Sequence, residues 1–321
     1  MSARPNTHSH FNRRRFVGLA GVGLVSGCGR GDGNSGTGEL DKVWGSRGIF
    51  DGQFQKPRAI AIDDRDQLYI VDMTGRIQVF DPDGQHLRSW RTPEIKHGKP
   101  SGLSFDNEGN LLVADTHYYR VLFYEDHGKQ LVRRTIGGEH GSQPGQFSFV
   151  TDAVQDSHGN YYIAQYHEHD RIQKYSRDGK FLFKWGRQGS RPGEFNRPQN
   201  LAIDDKDRLW IADSCNHRVQ VFDATGKGAK LITQWGKAGR ELGQLKYPYD
   251  ILLDGEGHVY LCEFGNHRVQ KFTLDGTWVG SWGKAGRGDG ELHNPWAFCR
   301  DSRGRLHVLD SMNHRVQRVY L

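Results

Sequence analysis

The chain has 321 residues, with 42 Gly, 10 Pro and a formal net charge of +6. With 26% charged and 35% hydrophobic residues it is not disordered throughout, and four cysteines are too few for a zinc-finger array or a disulfide scaffold. Residues 1–27 hold Arg4, Arg13, Arg14 and Arg15 and no acid, so without them the charge is +2 (6 − 4), and basicity gives no support to a nucleic-acid partner. High glycine with many aromatics points to short strands joined by tight turns, not to a helical bundle.

The chain opens with an address. Arg13-Arg14-Arg15-Phe16-Val17 is followed by a weakly apolar, glycine-rich stretch to Gly27. That stretch is shorter than the ~20 residues a membrane-spanning helix needs. A basic start, a short apolar run and small residues form a signal-peptide pattern. The paired arginines resemble a twin-arginine export signal, although Asn12 stands where that pattern prefers Ser or Thr. Val25-Ser26-Gly27-Cys28 resembles a bacterial lipobox, which implies lipidation of Cys28. The expected layout is a signal peptide at 1–27, a flexible tether at 28–40 and one folded domain at 41–321. The resemblance implies an exported bacterial lipoprotein, periplasmic or outer-membrane-attached, touching the membrane through its lipid only. We expect a monomer.

From residue 56 onward the chain repeats itself. Six 17-residue segments align without a gap, at 56–72, 99–115, 149–165, 197–213, 247–263 and 294–310. Their eighth residue is always Asp: Asp63, Asp106, Asp156, Asp204, Asp254 and Asp301. Each segment holds two runs of period-2 alternation around a D-x-x-G or D-x-x-D turn, the pattern of a hairpin. A third strand is predicted to begin at Arg76, Arg120, Arg171, Arg218, Arg268 and Arg315. A fourth typically ends in Trp, as at Trp90, Trp185, Trp235 and Trp282. The sixth unit stops after its third strand, while Leu40–Gly45 has the fourth-strand pattern with nothing before it. The expected fold is all-β: a six-bladed β-propeller of four-stranded antiparallel blades, the last blade closed by the N-terminal strand.

Asn216-His217-Arg218, Asn266-His267-Arg268 and Asn313-His314-Arg315 resemble the NHL repeat, and the resemblance covers about 41–321. It implies a propeller and little about activity. Residues present in every blade read as structural. The repeated arginines are expected to bridge neighbouring blades or to pair with Asp72, Asp115, Asp213, Glu263 and Asp310. His217, His267 and His314 fall on separate blades and read as structural histidines. Cys262 and Cys299 align with alanines and read as small core residues, while Cys215 falls in a loop.

Function is sought where blades differ. The residues leading into the inner strands are Arg58, Ser101, Thr151-Asp152, Gln199-Asn200, Tyr249-Asp250 and Trp296. Arg58, Asp152, Asn200, Tyr249, Asp250 and Trp296 are the candidate ligand-binding set at the channel mouth, and the two acids are expected to be solvated there. His117, His167 and His169 with Asp152 are ligand types suited to a divalent metal, zinc or calcium, although no closed motif fixes them and no cofactor is firmly indicated.

Among enzymes of this fold, peptidyl-hydroxyglycine amidating lyases resemble the chain. That resemblance places zinc histidines just after the proline that precedes an inner strand. Here those positions are Arg58, Ser101, Thr151, Gln199, Tyr249 and Trp296, so the zinc site does not carry over. Animal NHL proteins that bind RNA or transfer ubiquitin are a weaker comparison, because the chain lacks a RING cluster and carries an export signal. Two readings result: a binding scaffold for a protein, peptide or glycan at the channel mouth, or a metal-assisted lyase or hydrolase acting there.

Overall fold

A computed structural model of the protein describes residues 37–125 and 130–321. The leader, the lipobox and Cys28 lie outside the described residues. Six sheets of four antiparallel strands are present. Their inner strands are Ala59–Ile62, Gly102–Phe105, Phe149–Gln155, Pro198–Ile203, Pro248–Leu253 and Phe298–Arg300, and these define blades 1 to 6. Every third strand begins at the arginine the sequence predicts.

The repeated Asp makes each inner hairpin. Its Oδ1 accepts the N–H groups two and four residues on: Arg65 and Gln67 at Asp63, and Arg303 and Arg305 at Asp301. Asp106, Asp156, Asp204 and Asp254 do the same. A short acceptor side chain satisfying its own turn is why Asp recurs there.

Both faces of each blade are apolar, so the core is divided among the seams. Trp210, Ala212 and Val221 of blade 4, for example, pack on Ile251 and Leu261 of blade 5. The outer-strand tryptophans reach across: Trp185 lies 5.9 Å from Phe222, and Trp235 lies 5.1 Å from Phe272. Cys262 and Cys299 are buried among these side chains, as expected of small core residues.

A second fastener is polar. Arg218 Nε pairs with buried Asp213 at 2.7 Å, and its Nη atoms donate to the carbonyls of Ser190, Arg191 and Glu194 in the segment joining blades 3 and 4. Gln220 donates to the Glu194 carbonyl and accepts from Gly193 N–H. Arg268 with Glu263 and Gln270 repeats the arrangement, and Arg120 and Arg315 also pair with their acids. Two blades depart from the expected pairing. Arg76 donates to the Ile49 and Gln53 carbonyls while Asp72 caps Gln55 and Thr74; in blade 3, Gln165 replaces the acid and Arg171 serves carbonyls alone. Linker carbonyls are the partners of Arg76, Arg171, Arg218, Arg268 and Arg315, whereas Arg120 pairs with the carboxylates of Asp115 and Glu94. The glutamine two residues after the arginine, at Gln78, Gln173, Gln220, Gln270 and Gln317, is a repeated signal that the sequence reasoning passed over.

The histidines are staples between blades. His217, His267 and His314 adopt left-handed backbone (φ 55–59°), and Nδ1 of each accepts the N–H of Tyr247, Asn294 or Lys56 in the next blade. Nδ1 as an acceptor requires the neutral ring, and burial lowers all three pKa values.

The ring closes as expected. Glu39–Trp44 pairs antiparallel with Arg315–Tyr320, with Leu40 opposite Val319 and Trp44 opposite Val316. It begins at Glu39, inside the segment read as tether, because Leu40 packs on the core of blades 5 and 6. Asp41 pairs with Arg318 and Arg305, and Trp44 lies 4.8 Å from Phe80 of blade 1. A chain beginning at Ile49 loses this strand. Trp removal alone typically costs about 3–5 kcal/mol, so its thermal unfolding is expected well below that of the intact chain. Unchanged unfolding would refute the closure.

Candidate functional site

The inner strands of all six blades enclose a channel containing a cavity of about 230 Å³. Arg58, Ser101, Asp152, Gln199, Asn200, Tyr249, Asp250 and Trp296 line it, so the structure gathers the whole candidate ligand set.

The acids are not solvated, contrary to the sequence expectation. Asp152 is 2% exposed and Asp250 7%. Each reaches across a seam to the free edge of the next inner strand. Asp152 Oδ2 accepts from Leu201 N–H and Asn200 Nδ2, both at 3.0 Å. Asn200 Oδ1 accepts from Ile251 N–H, and Asp250 Oδ2 accepts from Phe298 N–H at 2.8 Å. An inner strand has no neighbour on its channel side, so its N–H groups there need acceptors, and these side chains supply them. Burial pushes the Asp152 carboxyl up to about 7, against the opposing pull of its N–H donors. Burial raises the Asp250 carboxyl well above the carboxylate range, and the nearby Asp152 adds to the shift.

Above the cavity runs a collar of rings and guanidinium groups. The Arg58 guanidinium lies 4.9 Å from the Trp296 ring, and Trp296 lies 5.0 Å from Tyr249. Arg197 sits between Tyr249 at 4.9 Å and Tyr166 at 4.8 Å. Tyr166 contacts Phe149 at 5.6 Å, and Phe149 contacts His117 at 4.8 Å. Every blade contributes. Burial lowers the Arg58 pKa from its usual value, and Arg197 pulls the same way. Neither guanidinium has a carboxylate partner among the described residues; Arg197 Nε donates to Gln199 at 2.9 Å.

Sequence reasoning did not select Arg197. It compared the residue after each proline, whereas Arg197 stands just before Pro198. Position 56, 99, 149, 197, 247 or 294 of the six units holds Lys, Lys, Phe, Arg, Tyr or Asn, a variation as wide as that of the positions examined.

The proposed metal set does not assemble. His117 packs on Phe149 and His167 stacks parallel to the same ring at 5.0 Å. His169 faces Lys184 and Trp185 at the periphery, and Asp152 lies down in the channel. Among the described residues no three His, Cys, Asp or Glu side chains form a metal-holding group.

The family model of the NHL repeat matches residues 195–222. The chain is 30% identical to rat (Rattus norvegicus) peptidylglycine alpha-amidating monooxygenase over 191 residues, 57% of this chain and 18% of that protein. It is 30% identical to mouse (Mus musculus) NHL repeat-containing protein 3 over 178 residues, 51% of each. The chain therefore spans about a fifth to a half of the length of these curated relatives. A crystal structure of virginiamycin B lyase from Staphylococcus aureus superposes with a TM-score of 0.59 at 12% identity, covering 85% of this chain and 98% of that one, a likeness of fold. The chain is thus a six-bladed β-propeller by its structure, and its repeat match and relatives make it similar to NHL-repeat proteins.

The buried Asp152 carboxyl has a sign that can be tested. Its folded pKa lies above its unfolded value of ~3.9, so the fold binds the extra proton and this group's contribution falls as pH rises from about 4 through 7. Asp152→Asn keeps an acceptor for Leu201 without the titration. Relative to wild type it is expected to gain a few kcal/mol on going from acid to pH 8, read by urea unfolding across pH. A constant difference between the two proteins would contradict the burial.

Proposed function

We propose that the protein is a binding propeller, exported and lipid-anchored, whose channel mouth takes the anionic end of a protein, peptide or glycan ligand. The observation that carries this reading is the pair Arg58 and Arg197, held over aromatic rings with no carboxylate partner among the described residues. A guanidinium whose face is stacked keeps its planar N–H edge for a bidentate anion. The rings beside it offer flat apolar area to whatever carries the anion. The rest of the ring is occupied with holding itself together, which leaves the collar as the surface that differs from blade to blade.

A small probe tests this directly. 3-Phenylpropionate is expected to bind at least roughly tenfold more tightly than its uncharged amide, measured by calorimetry. Arg58→Met is expected to remove that preference while near-ultraviolet circular dichroism stays unchanged. Equal binding of acid and amide by wild type would refute the reading.

Cys28 is the attachment point in this proposal, supported by the order of basic start, short apolar run and Val25-Ser26-Gly27-Cys28. Wild-type protein is expected to incorporate labelled palmitate in a bacterial host and Cys28→Ala to incorporate none. Equal labelling would remove the anchor from the account.

One observation favours a second, enzymatic reading. A carboxyl titrating near neutrality and lining a cavity is suited to general acid–base work, and Asp152 has that property. The names of the rat and staphylococcal proteins, a monooxygenase and a lyase, are compatible with chemistry on such a scaffold. In this reading Asp152→Asn retains the ligand and abolishes its turnover.

A further inference from the structure

The channel beneath the collar is electrically lopsided. One repeated position, three residues after the start of each aligned segment, holds Asp152, Asn200 and Asp250 on the arc of blades 3, 4 and 5. On the facing arc of blades 6, 1 and 2 it holds Ala297, Ala59 and Gly102, none of which carries a polar side chain. Arg58 stands directly before Ala59 on that second arc. The same small cavity is lined by Arg58, Asp152 and Asp250.

The two carboxyls are satisfied by neutral donors only. Asp152 accepts from Asn200 and Leu201, and Asp250 from Phe298 and its neighbour Ile251; among the described residues no Lys, Arg or His pairs with either. Buried acids without a counter-charge are costly to ionise. Arg58 is in the complementary position, a half-buried cation without a carboxylate partner among the described residues. A ligand with one charge meets only half of this. A bare anion gives the buried carboxyls no cation to ionise against, and a bare cation faces Arg58. A ligand with both charges neutralises both arcs at once.

We propose that the mouth recognises a small amino-acid zwitterion, a free amino acid or dipeptide, with its carboxylate toward Arg58, its ammonium toward Asp152 and Asp250, and its side chain against Tyr249 and Trp296. The proposal rests on the anion-binding reading above and narrows it. The cavity, at about 230 Å³, falls below the ~300–1,000 Å³ usual for drug-sized ligands, which suits a ligand of this size.

Four probes share one phenyl ring and differ in charge: L-phenylalanine and glycyl-L-phenylalanine carry both charges at two spacings, 3-phenylpropionate carries the anion alone, and phenethylamine the cation alone. By calorimetry on the intact protein at neutral pH, at least one zwitterion is expected to bind roughly tenfold more tightly than either singly charged probe. The double variant Asp152→Asn/Asp250→Asn is expected to lose that preference while still binding 3-phenylpropionate; should it not fold, each single variant is expected to reduce it. A singly charged probe that matches both zwitterions overturns the proposal. So does a folded double variant that keeps the tenfold preference. If 3-phenylpropionate binds through Arg58 and the zwitterions bind no better, this inference fails and the anion reading stands. If no carboxylate-bearing probe binds, both fail.

Discussion

A four-stranded sheet that is apolar on both faces cannot end a stack, and everything else in this protein depends on that constraint. Each blade needs a neighbour on either side, so the stack must curve into a ring and the ring must have no loose end. Glu39–Trp44 meets this need by completing the last blade before the first one begins. Trp44 then packs toward Phe80 of blade 1, so the strand that finishes one sheet also fills the next seam. Closure makes the first and last described strands neighbours, and their pairing is the longest-range contact in the fold.

The seams use two kinds of contact with different reach. Trp185 on Phe222 and Trp235 on Phe272 supply apolar burial, which is insensitive to direction. The arginine, glutamine and histidine bonds fix register, because each ends on a particular backbone group of the linker or the next blade. Most of these polar atoms are matched within the ring, the buried Nε of Arg76 and of Arg171 being exceptions, so their donors are largely committed to structure. The collar differs on this point: Arg58 and Arg197 lie over rings and hold no carboxylate among the described residues. That contrast separates residues that hold the ring together from residues left available to a partner.

Much of the architecture was legible because it is repeated. Asp63 and its five equivalents, the strand-starting arginines and the outer tryptophans recur at fixed spacing, and each has one geometric job. The closing strand was legible for the opposite reason: Leu40–Gly45 carries the pattern with no partners before it. Burial in the channel was harder to read. Asp152 and Asp250 look like rim residues in one dimension, because the sequence gives the inner strand's position but not the tilt that turns its edge inward. Arg197 was passed over because its backbone precedes Pro198 while its side chain reaches the same collar as residues that follow a proline. His117, His167 and His169 read as a cluster in sequence, yet stacking on Phe149 on the one hand and the outer rim on the other keep them apart.

The central claim is that the mouth of the ring is a ring-lined seat whose two guanidinium groups have no carboxylate partner among the described residues. Anomalous diffraction from crystals of the protein soaked in bromide tests it without any assumption about the natural ligand. The account expects a bromide peak within contact of the Arg58 or Arg197 guanidinium, lost in the Arg58→Met/Arg197→Met variant. Bromide bound only at surface lysines and arginines, with none at the collar, would contradict it.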